Sequence, residues 1–381
     1  MKRILICILA CLLLSGCSVN PKALDGNTPA SVPAEPETPS SVTTPADPME
    51  ALLDSMCQEE LVGQLFLIRY PGHQKANEAV TAYHIGGFVL FGQDYKNETP
   101  DSIAAQMQAL QKASDPPLLI AVDEEGGDVA RVSAYPQYRE SRFQSPRKLF
   151  SSGGMPLVLT TEAEKCLLLQ RVGVNVNLGP VCDVTTDADA FMYRRSLGQD
   201  AAVTGQFVAD MVEIMAQHQI GSVLKHFPGY GNNADTHIGS AVDSRALVEL
   251  EEKDLVPFRA GIAAGCDAIL VSHTVVACLD NELPASLSPA VVEYLRNSMG
   301  FQGVILTDDL VMEAITDKYG AGESAVMAIQ AGCDMLCSSE YEEQYAAVLA
   351  AVQDGRISQQ QLRDSVRRIL LWKLELGLLE L

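Results

Sequence analysis

Residues 300–310 read Gly-Phe-Gln-Gly-Val-Ile-Leu-Thr-Asp-Asp-Leu, and this stretch decides the fold. Two glycines precede a run of apolar residues that is too short for a helix, and the run ends in two acids. A short apolar run bounded in this way is typical of a strand buried on both faces, as strands of parallel sheets are. We therefore predict a strand at 304–307 with Asp308 and Asp309 at its carboxyl end.

The same design recurs along the chain, where short apolar runs alternate with longer helical stretches. The runs predicted as strands are eight in number, at 64–68, 87–91, 118–122, 174–178, 222–225, 268–272, 304–307 and 335–338. The stretches predicted as helices are 100–112, 161–172, 201–218, 247–264, 289–298, 321–331 and, at the carboxyl terminus, 358–376. Alternation without hairpins indicates parallel β/α units. The predicted fold class is α/β, a (β/α)8 TIM-like barrel that forms a single catalytic domain.

Ionisable residues gather where the predicted strands end. The third strand is followed by Asp123, the fifth ends in Lys225 and is followed by His226, and the seventh is followed by Asp308. In such barrels the carboxyl ends of all strands open onto one face, which carries the active site. Charged groups there are costly to bury unless they are paired or take part in catalysis. The sequence therefore predicts an active site at this face.

The loop 225–237 is the most informative single stretch. It reads Lys-His-Phe-Pro-Gly-Tyr-Gly-Asn-Asn-Ala-Asp-Thr-His, and its glycines, proline and asparagines are typical of a loop able to move. Asp235 stands two residues before His237, from where it can hydrogen-bond the imidazole and set its tautomer and basicity. A histidine supported in this way suits general acid/base catalysis.

Residues 225–237 resemble the signature of bacterial β-N-acetylglucosaminidases of glycoside hydrolase family 3. That signature runs Lys-His-Phe-Pro-Gly-His-Gly, a short variable stretch, and then Asp-Ser/Thr-His. The similarity extends over nearly the whole globular chain, with further ordered matches at 86–91, 122–127, 173–184, 195–198 and 300–310. Ordered matches of this length are highly specific, whereas Thr-Asp-Asp-Leu alone would not be.

The resemblance implies a role for each matching residue. Asp308 would be the nucleophile that attacks the anomeric carbon, and His237 would be the acid/base, oriented by Asp235. The residues that would hold the terminal sugar are Asp123, Arg195, Lys225 and His226. Two displacements through a covalent glycosyl-enzyme retain the anomeric configuration. The implied function is retaining, exo-acting release of terminal β-linked N-acetylglucosamine from peptidoglycan fragments or related glycans, with no cofactor and no metal.

Three alternatives stay open. A histidine acid/base departs from the usual pair of carboxylates, and because it does not repel an incoming phosphate, a phosphorylase on the same scaffold also fits. A β-glucosidase is the second alternative, although larger β-glucosidases of the family usually carry a further domain that supplies a glutamate acid/base. The third is a sugar-binding lipoprotein without catalysis, since a lipid anchor and a long tether also suit transport receptors.

Three features depart from the family pattern. Tyr230 stands where histidine is common, the variable stretch 232–234 is one residue shorter than usual, and Asp128 replaces an arginine after the Glu-Glu-Gly-Gly turn. The last exchange reverses a charge beside the predicted pocket, where Arg131 is placed to compensate. These departures affect the closure of the loop and the preference for particular substrate groups beyond the terminal sugar.

The first 48 residues predict a lipoprotein signal and a tether. Two basic residues precede the uncharged apolar stretch 4–14, which leads into Leu-Ser-Gly-Cys, a sequence that resembles a lipobox. Residues 1–16 are therefore predicted to be cleaved and Cys17 to be lipidated. Residues 17–48 are rich in Pro, Ser and Thr and predict a disordered linker. The barrel domain is predicted at 49–381, in an extracytoplasmic protein anchored to the cell membrane.

Composition limits the partners. The chain has 49 acidic and 27 basic residues and a formal net charge of −22, which disfavours binding to nucleic acid. The cysteines beyond Cys17 are scattered without Cys-x-x-Cys spacing, so they indicate no metal site, and their pairing is left open. The expected partners are a carbohydrate substrate and, through the anchor, a membrane.

Overall fold

The computed structural model of the protein describes residues 47–231 and 241–381. The strands of this part of the chain are β1 Phe66–Arg69, β2 Gly87–Leu90, β3 Leu119–Val122, β4 Val176–Asn177, β5 Gly221–Phe227, β6 Val242–Asp243, β7 Ala268–Val271, β8 Val275–Val276, β9 Val304–Thr307 and β10 Leu336–Ser338. The α-helices are α1 Pro48–Ser55, α2 Gln58–Gln64, α3 His73–Tyr83, α4 Gly92–Tyr95, α5 Pro100–Ala113, α6 Pro146–Arg171, α7 Ala201–Gln217, α8 Leu247–Glu249, α9 Leu255–Ala263, α10 Pro289–Glu293, α11 Glu313–Tyr319, α12 Ala321–Ala331, α13 Tyr341–Gln353 and α14 Gln359–Glu375. A 3-10 turn covers Ala285–Leu287, and π-helical turns cover Leu250–Asp254 and Tyr294–Ser298.

Eight strands form one parallel sheet in the order β10–β1–β2–β3–β4–β5–β7–β9. A parallel bridge between Leu306 and Met335 joins the two ends of this order, and the Thr307 amide donates to the Met335 carbonyl at 3.1 Å. The sheet is therefore a barrel surrounded by helices, which confirms the predicted (β/α)8 fold. The strands β6 and β8 form a separate parallel pair.

The strands are buried because both of their faces are covered. Every residue of β2, β3, β7 and β9 is buried, since inward side chains fill the barrel and outward side chains pack under helices. Several helices begin at a residue whose side chain accepts a hydrogen bond from an amide of the first turn. Such caps are Thr99 at α5, Ser145 at α6, Asp200 at α7, Ser288 at α10 and Ser358 at α14.

All eight predicted strands are confirmed with shifts of at most two residues at either end, and the strand at 304–307 has the predicted bounds. The helix predicted at 161–172 was wrong at its start, because α6 begins fifteen residues earlier at Pro146. It continues across a non-helical residue, Gly154, whose φ is 65°. Gly154 and Pro156 interrupt the apolar period there, so the pattern did not show the first half of the helix.

The carboxyl-terminal helix α14 covers the amino end of the barrel. Lys373 donates to Gln64, which ends α2 just before β1, at 2.6 Å. Arg368 pairs with Asp334, two residues before β10, at 2.9 Å. Trp372 lies against Gly221 at the start of β5. The barrel is thus closed by α14 at one end, and its carboxyl end carries the site described below.

Within the part of the chain that the structure describes, no helix combines the length and the apolar character needed to cross a membrane.

Candidate active site

A cavity of about 570 Å³ opens at the carboxyl end of the barrel. Its volume lies within the range of small-molecule sites. Five residues predicted from the sequence line it together, namely Asp123 after β3, Arg195 in the loop after β4, Lys225 and His226 at the end of β5, and Asp308 after β9. Apolar side chains such as Val89, Leu178, Leu270 and Met312 form the rest of the lining. The site therefore combines charged groups with an apolar wall.

Four charged side chains alternate along one side of this cavity. The Lys225 ammonium donates to Asp123 at 2.5 Å and to Glu125 at 2.7 Å. Arg195 grips Glu125 with two hydrogen bonds, Nη2–Oε1 at 2.7 Å and Nε–Oε2 at 3.0 Å. Lys225 is only 2% exposed and Glu125 7%. Opposite charges in contact, with further hydrogen bonds, offset the cost of removing them from water.

The same contacts keep these groups ionised. Burial opposes the charge of Glu125, but Lys225 and Arg195 outweigh it and hold the pKa of this carboxyl well below its ordinary value. Burial likewise opposes the charge of Lys225, yet Asp123 and Glu125 raise its pKa above the ordinary value. The cavity therefore presents fixed charges to a ligand at neutral pH. Such an array can hydrogen-bond the hydroxyl groups of a sugar without rearranging.

The tautomer of His226 follows from its two partners. Its Nε2 lies 3.1 Å from Nη2 of Arg195, and its Nδ1 lies 2.9 Å from Oδ2 of Asp183. A guanidinium only donates, so Nε2 accepts and the ring proton lies on Nδ1, from which it is donated to Asp183. His226 is 5% exposed and Asp183 3%. Asp183 thus orients the imidazole that lines the cavity.

Tyr230 packs behind His226 at the start of the loop. The Tyr230 amide donates to Oδ1 of Asp183 at 2.8 Å, and its ring centroid lies 5.2 Å from that of His226. On its other side Phe191 lies 5.3 Å away, centroid to centroid. The tyrosine that departs from the family pattern is therefore buried in an aromatic cluster, and it is tied to the same carboxylate as His226.

Asp308 and Asp309 both line the cavity but are held differently. Oδ1 of Asp308 accepts the Asp309 amide at 2.9 Å. The Asp309 carboxylate accepts from the amides of Val311 and Ser339 and from the Ser339 hydroxyl. These hydrogen bonds assign Asp309 to fixing the loop.

His273, two residues after β7, holds Asp309, the residue that follows Asp308. Its Nε2 lies 3.0 Å from the Asp309 carbonyl and its Nδ1 2.7 Å from the Ser286 hydroxyl. A carbonyl only accepts, so the proton is on Nε2 and Ser286 donates to Nδ1. Since the Asp309 amide in turn donates to Asp308, His273 is linked to the nucleophile candidate through one residue, Asp309.

The charge reversal at Asp128 falls outside this cavity. Asp128 is exposed and pairs with Arg194 at 2.8 Å. Arg131, by contrast, lines the cavity, with its guanidinium 5.5 Å from the centre of the Phe91 ring. Arg69 lies over the same ring at 4.3 Å. Arg69 also pairs with Asp94 at 3.3 Å, which offsets its charge, and Arg131 adds a positive charge to the same wall of the cavity.

Three predicted residues, Asp235, His237 and Cys17, lie outside the described residues, so their roles stay predictions. Within residues 47–231 and 241–381 no group of three or more His, Cys, Asp or Glu side chains is arranged to hold a metal ion. The sequence reasoning did not assign Glu125, Asp183 or His273 to the site. Asp183 and Glu125 stand inside matched motifs, whereas the only signal for His273 was its position after a strand.

Barrels of this kind carry enzyme active sites at their carboxyl end, where this chain has an ionised, partly apolar cavity and an acid after the seventh barrel strand, so the fold and site define a barrel enzyme. The glycosyl hydrolase family 3 N-terminal domain matches residues 57–371. The chain belongs to this family.

Relatives of known name support the assignment. A β-hexosaminidase of Nitrosomonas eutropha is 32% identical over 261 residues, which cover 66% of this chain and 73% of the relative. The β-hexosaminidase LpqI of Mycobacterium tuberculosis is 32% identical over 316 residues, 79% of each chain. A solved structure, a family 3 β-N-acetylglucosaminidase from Paenibacillus, superposes with a TM-score of 0.79 at 30% identity over 85% of this chain. This chain covers 63% of that longer one.

Proposed function

We propose that the protein is a retaining, exo-acting β-N-acetylhexosaminidase that releases terminal β-linked N-acetylglucosamine. The observation that carries the proposal is the convergence of Asp123, Lys225 and Arg195 with Asp308 on one cavity at the carboxyl end of the barrel. The first three are joined through Glu125 in a fixed ionic array, and the fourth is a carboxylate within the same space. The names of the relatives supply the kind of sugar.

The mechanism follows from what these groups can do. The ionic array binds the hydroxyl groups of the terminal sugar and places its anomeric carbon beside Asp308. The carboxylate of Asp308 attacks that carbon, and the bond to the leaving oxygen breaks as a covalent glycosyl-enzyme forms. His237, supported by Asp235, gives a proton to the leaving oxygen and afterwards takes one from the water that hydrolyses the intermediate.

The experiment compares p-nitrophenyl β-N-acetylglucosaminide with p-nitrophenyl β-glucoside, each with and without phosphate. We expect hydrolysis of the acetamido substrate, preferred over the glucoside, with free N-acetylglucosamine as product. A sugar 1-phosphate formed in phosphate buffer would make the protein a phosphorylase instead, and preference for the glucoside would make it a β-glucosidase. Binding without turnover of either substrate would favour the non-catalytic lipoprotein.

A second test addresses His237. Replacing it with alanine should nearly abolish cleavage of N,N′-diacetylchitobiose, whose leaving group needs a proton, and should spare the p-nitrophenyl substrate more. His218→Ala is a matched control, because His218 caps the end of α7, on a different loop. Equal loss with both substrates would contradict an acid role for His237.

We also propose that the protein is a lipoprotein that acts on cell-wall fragments outside the cytoplasm. The support is the sequence 14–17, Leu-Ser-Gly-Cys, after a basic and apolar start. Fractionation of cells tests this, because Cys17→Ser should move the protein from the membrane to the soluble fraction. If the Cys17→Ser variant stayed with the membrane fraction, the proposed lipid anchor at Cys17 would be wrong.

A further inference from the structure

Arg245 is held by two buried carboxylates that the proposed mechanism does not use. Its Nε and Nη2 donate to the two oxygens of Asp243, at 3.0 and 2.6 Å, and its Nη1 donates to Asp254 at 2.6 Å. The Asp243 and Asp254 side chains are 2% and 0% exposed, and that of Arg245 is 26% exposed. Paired hydrogen bonds of this kind fix a guanidinium in direction as well as in place. We refer to these three side chains as the Arg245 cluster.

The Arg245 cluster holds the chain that follows the segment 232–240. The Ala241 carbonyl accepts the Val275 amide at 2.9 Å, and the next two residues, the strand β6, pair with β8. Asp243 is the second residue of β6. The carboxyl end of the segment is therefore fixed on β8, and Asp243 ties it to the guanidinium of Arg245.

The chain that precedes the segment packs against the same cluster. A Cβ on Gly231 would lie 2.5 Å from Nη2 of Arg245, and a Cβ on Gly229 would lie 2.9 Å from the Cβ of Asp254. The φ angles of Gly229 and Gly231 are 111° and 55°, which glycine adopts without strain. The backbone at 229–231 therefore lies directly on the Arg245 cluster, at a distance that a side chain on either glycine would prevent.

Residues 229–231 are held on their other side by the catalytic cavity. The Gly229 amide donates to the His226 carbonyl at 2.7 Å, and the Tyr230 amide donates to Asp183 at 2.8 Å. His226 lines the catalytic cavity. The start of the segment is thus fixed between the cavity and the Arg245 cluster, so its position depends on both.

Asp254 makes this arrangement sensitive to Arg245. Its Oδ2 accepts from Arg245, and its Oδ1 is buried with no hydrogen-bond partner among residues 47–231 and 241–381. Burial raises the pKa of Asp254 above its ordinary value, and Arg245 opposes that rise. Loss of Arg245 would leave a buried carboxylate without its cation beside Gly229, and the chain there would have to move.

We propose that Arg245 is a positioning residue for general acid/base catalysis, because it joins the two ends of the segment that carries Asp235 and His237. This inference rests on the proposed function and on the acid/base role of His237 in it. One guanidinium binds the carboxylate after the segment, binds the carboxylate beside Gly229, and lies on Gly231. A catalytic group misplaced by about 1 Å can lose roughly 10²-fold in rate, so Arg245 affects catalysis without touching the substrate.

The first test compares two leaving groups through kcat/KM, which reports on cleavage of the glycosidic bond. p-Nitrophenolate leaves without a proton, whereas the sugar released from N,N′-diacetylchitobiose needs one. We expect Arg245→Gln to lower kcat/KM roughly 100-fold for the disaccharide and only about 3-fold for p-nitrophenyl β-N-acetylglucosaminide. The ratio of the two values does not depend on the fraction of folded protein. Equal losses on both substrates would overturn the inference.

Azide tests the water-activating half of the same role. As an anion it attacks the anomeric carbon of the glycosyl-enzyme without a base, the bond to Asp308 breaks, and the product is N-acetylglucosaminyl azide. Water needs the base, so the ratio of glycosyl azide to free sugar should be roughly 10-fold higher in Arg245→Gln than in the unmutated protein. An unchanged ratio would contradict a positioning role, because a loss of folded protein alone leaves it unchanged.

Two milder variants keep the test decisive if Arg245→Gln folds poorly. Arg245→Lys retains the charge but cannot bind both carboxylates as a fork, and Asp254→Asn weakens the other half of the cluster. Each should lower the ratio of disaccharide to p-nitrophenyl kcat/KM by roughly 10-fold. If neither variant changes this ratio, the inference is wrong.

Arg368→Gln is the matched control, since Arg368 is 30% exposed and pairs with the buried Asp334 at the amino end of the barrel. It should lower the thermal midpoint and leave the substrate ratio and the azide ratio unchanged. The same changes of ratio in this control would overturn the assignment to the Arg245 cluster. If the unmutated full-length protein cleaves neither substrate, the proposed function and this inference are both wrong. If it cleaves both and every variant keeps its ratio, only the inference is wrong.

Discussion

The two ends of the barrel use the same chemistry for different purposes. At the carboxyl end Asp123 and Lys225 form an ion pair that lines an open cavity, and Glu125 pairs with Lys225 behind it. At the amino end Asp334 is 1% exposed and accepts from Arg296 and Arg368, under the helix α14. Both networks are buried and paired, and a cavity lies beside each, since Arg296 and Arg368 line one of about 520 Å³. The networks differ in where the carboxylate lies, because Asp123 lines its cavity whereas Asp334 does not. A carboxylate that lines a cavity, rather than charge or space alone, distinguishes the binding site from the structural network.

The largest effect on activity is expected from a substitution in the cavity at the carboxyl end of the barrel. Asp308→Asn removes the nucleophile's charge with almost no change in shape, and we expect kcat on p-nitrophenyl β-N-acetylglucosaminide to fall by roughly 10³-fold or more. Steady-state rates and a urea melt measure the two consequences separately. Because Asp308 lines a cavity, the urea midpoint should change little.

Asp101→Asn is the matched control, since Asp101 is an exposed acid in the first turn of α5. If Asp308→Asn lost activity only in proportion to a loss of folded protein, the carboxyl end would be structural like the amino end. The distinction between a catalytic end and a structural end of the barrel would then be wrong.

The opposite result is expected at the amino end. Asp334 also accepts from the Ser365 hydroxyl at 2.9 Å and from the Ile305 amide at 2.8 Å. Asp334→Asn leaves two arginines without their carboxylate and should cost about 3–5 kcal/mol of the free energy of unfolding. At a temperature where the variant stays folded, its kcat should match that of the unmutated enzyme. A fall in kcat without a fall in stability would contradict a purely structural role for Asp334.

The sequence predicted the fold well because its signals were local. The barrel strands are short, largely apolar runs, and an acid marks the end of two of them, Asp123 after β3 and Asp308 after β9. The start of α6 was missed since Gly154 and Pro156 break the period on which the prediction depends. The pairing of β6 with β8 was not predicted, because two-residue strands give no pattern.

The site was predictable to the extent that single residues stand at strand ends. Asp123, Lys225 and Asp308 met that criterion, and the structure brings them together. Their supporting groups could not be found in this way, since Asp183 reaches His226 across 43 positions and His273 reaches the Asp309 carbonyl across 36. Contacts of that kind depend on the closed barrel, which periodicity does not describe.

Lys373, which is buried at the amino end of the barrel, allows a structural role at that end to be tested through the pH dependence of stability. Lys373 is fully buried, and burial lowers its pKa from 10.5 to about 7. Its ammonium nitrogen lies 2.6 Å from the Gln64 amide oxygen. Between about pH 7 and 10.5 the unfolded chain therefore binds a proton that the folded chain does not. Stability must rise with pH across this window, by at most about 1.4 kcal/mol per unit.

Lys373→Met keeps a similar volume and removes the titration. Its free energy of unfolding should exceed that of the unmutated protein at pH 7.5, and the gap should narrow by roughly 2 kcal/mol by pH 9.5. Urea unfolding at both pH values measures this, and comparing the two proteins at each pH cancels the other titrating groups. A gap independent of pH would show that Lys373 is not held neutral in the folded state.

The smallest effect on activity is expected from a substitution of His273. This residue is buried like a structural residue, yet it contacts the loop that lines the catalytic cavity. Its Nε2 donates to the Asp309 carbonyl, and the Asp309 amide holds Asp308. His273→Asn should lower kcat by about 10-fold with little change in KM, since a nucleophile displaced by a fraction of an ångström still allows binding. His273→Gln, whose amide nitrogen can reach the position of Nε2, should restore most of the rate. If both variants lost the same activity, or if kcat fell only in step with the thermal midpoint, His273 would belong to the structural network alone. Recovery in glutamine and not in asparagine would show that the hydrogen bond, rather than the packing of the ring, positions Asp308.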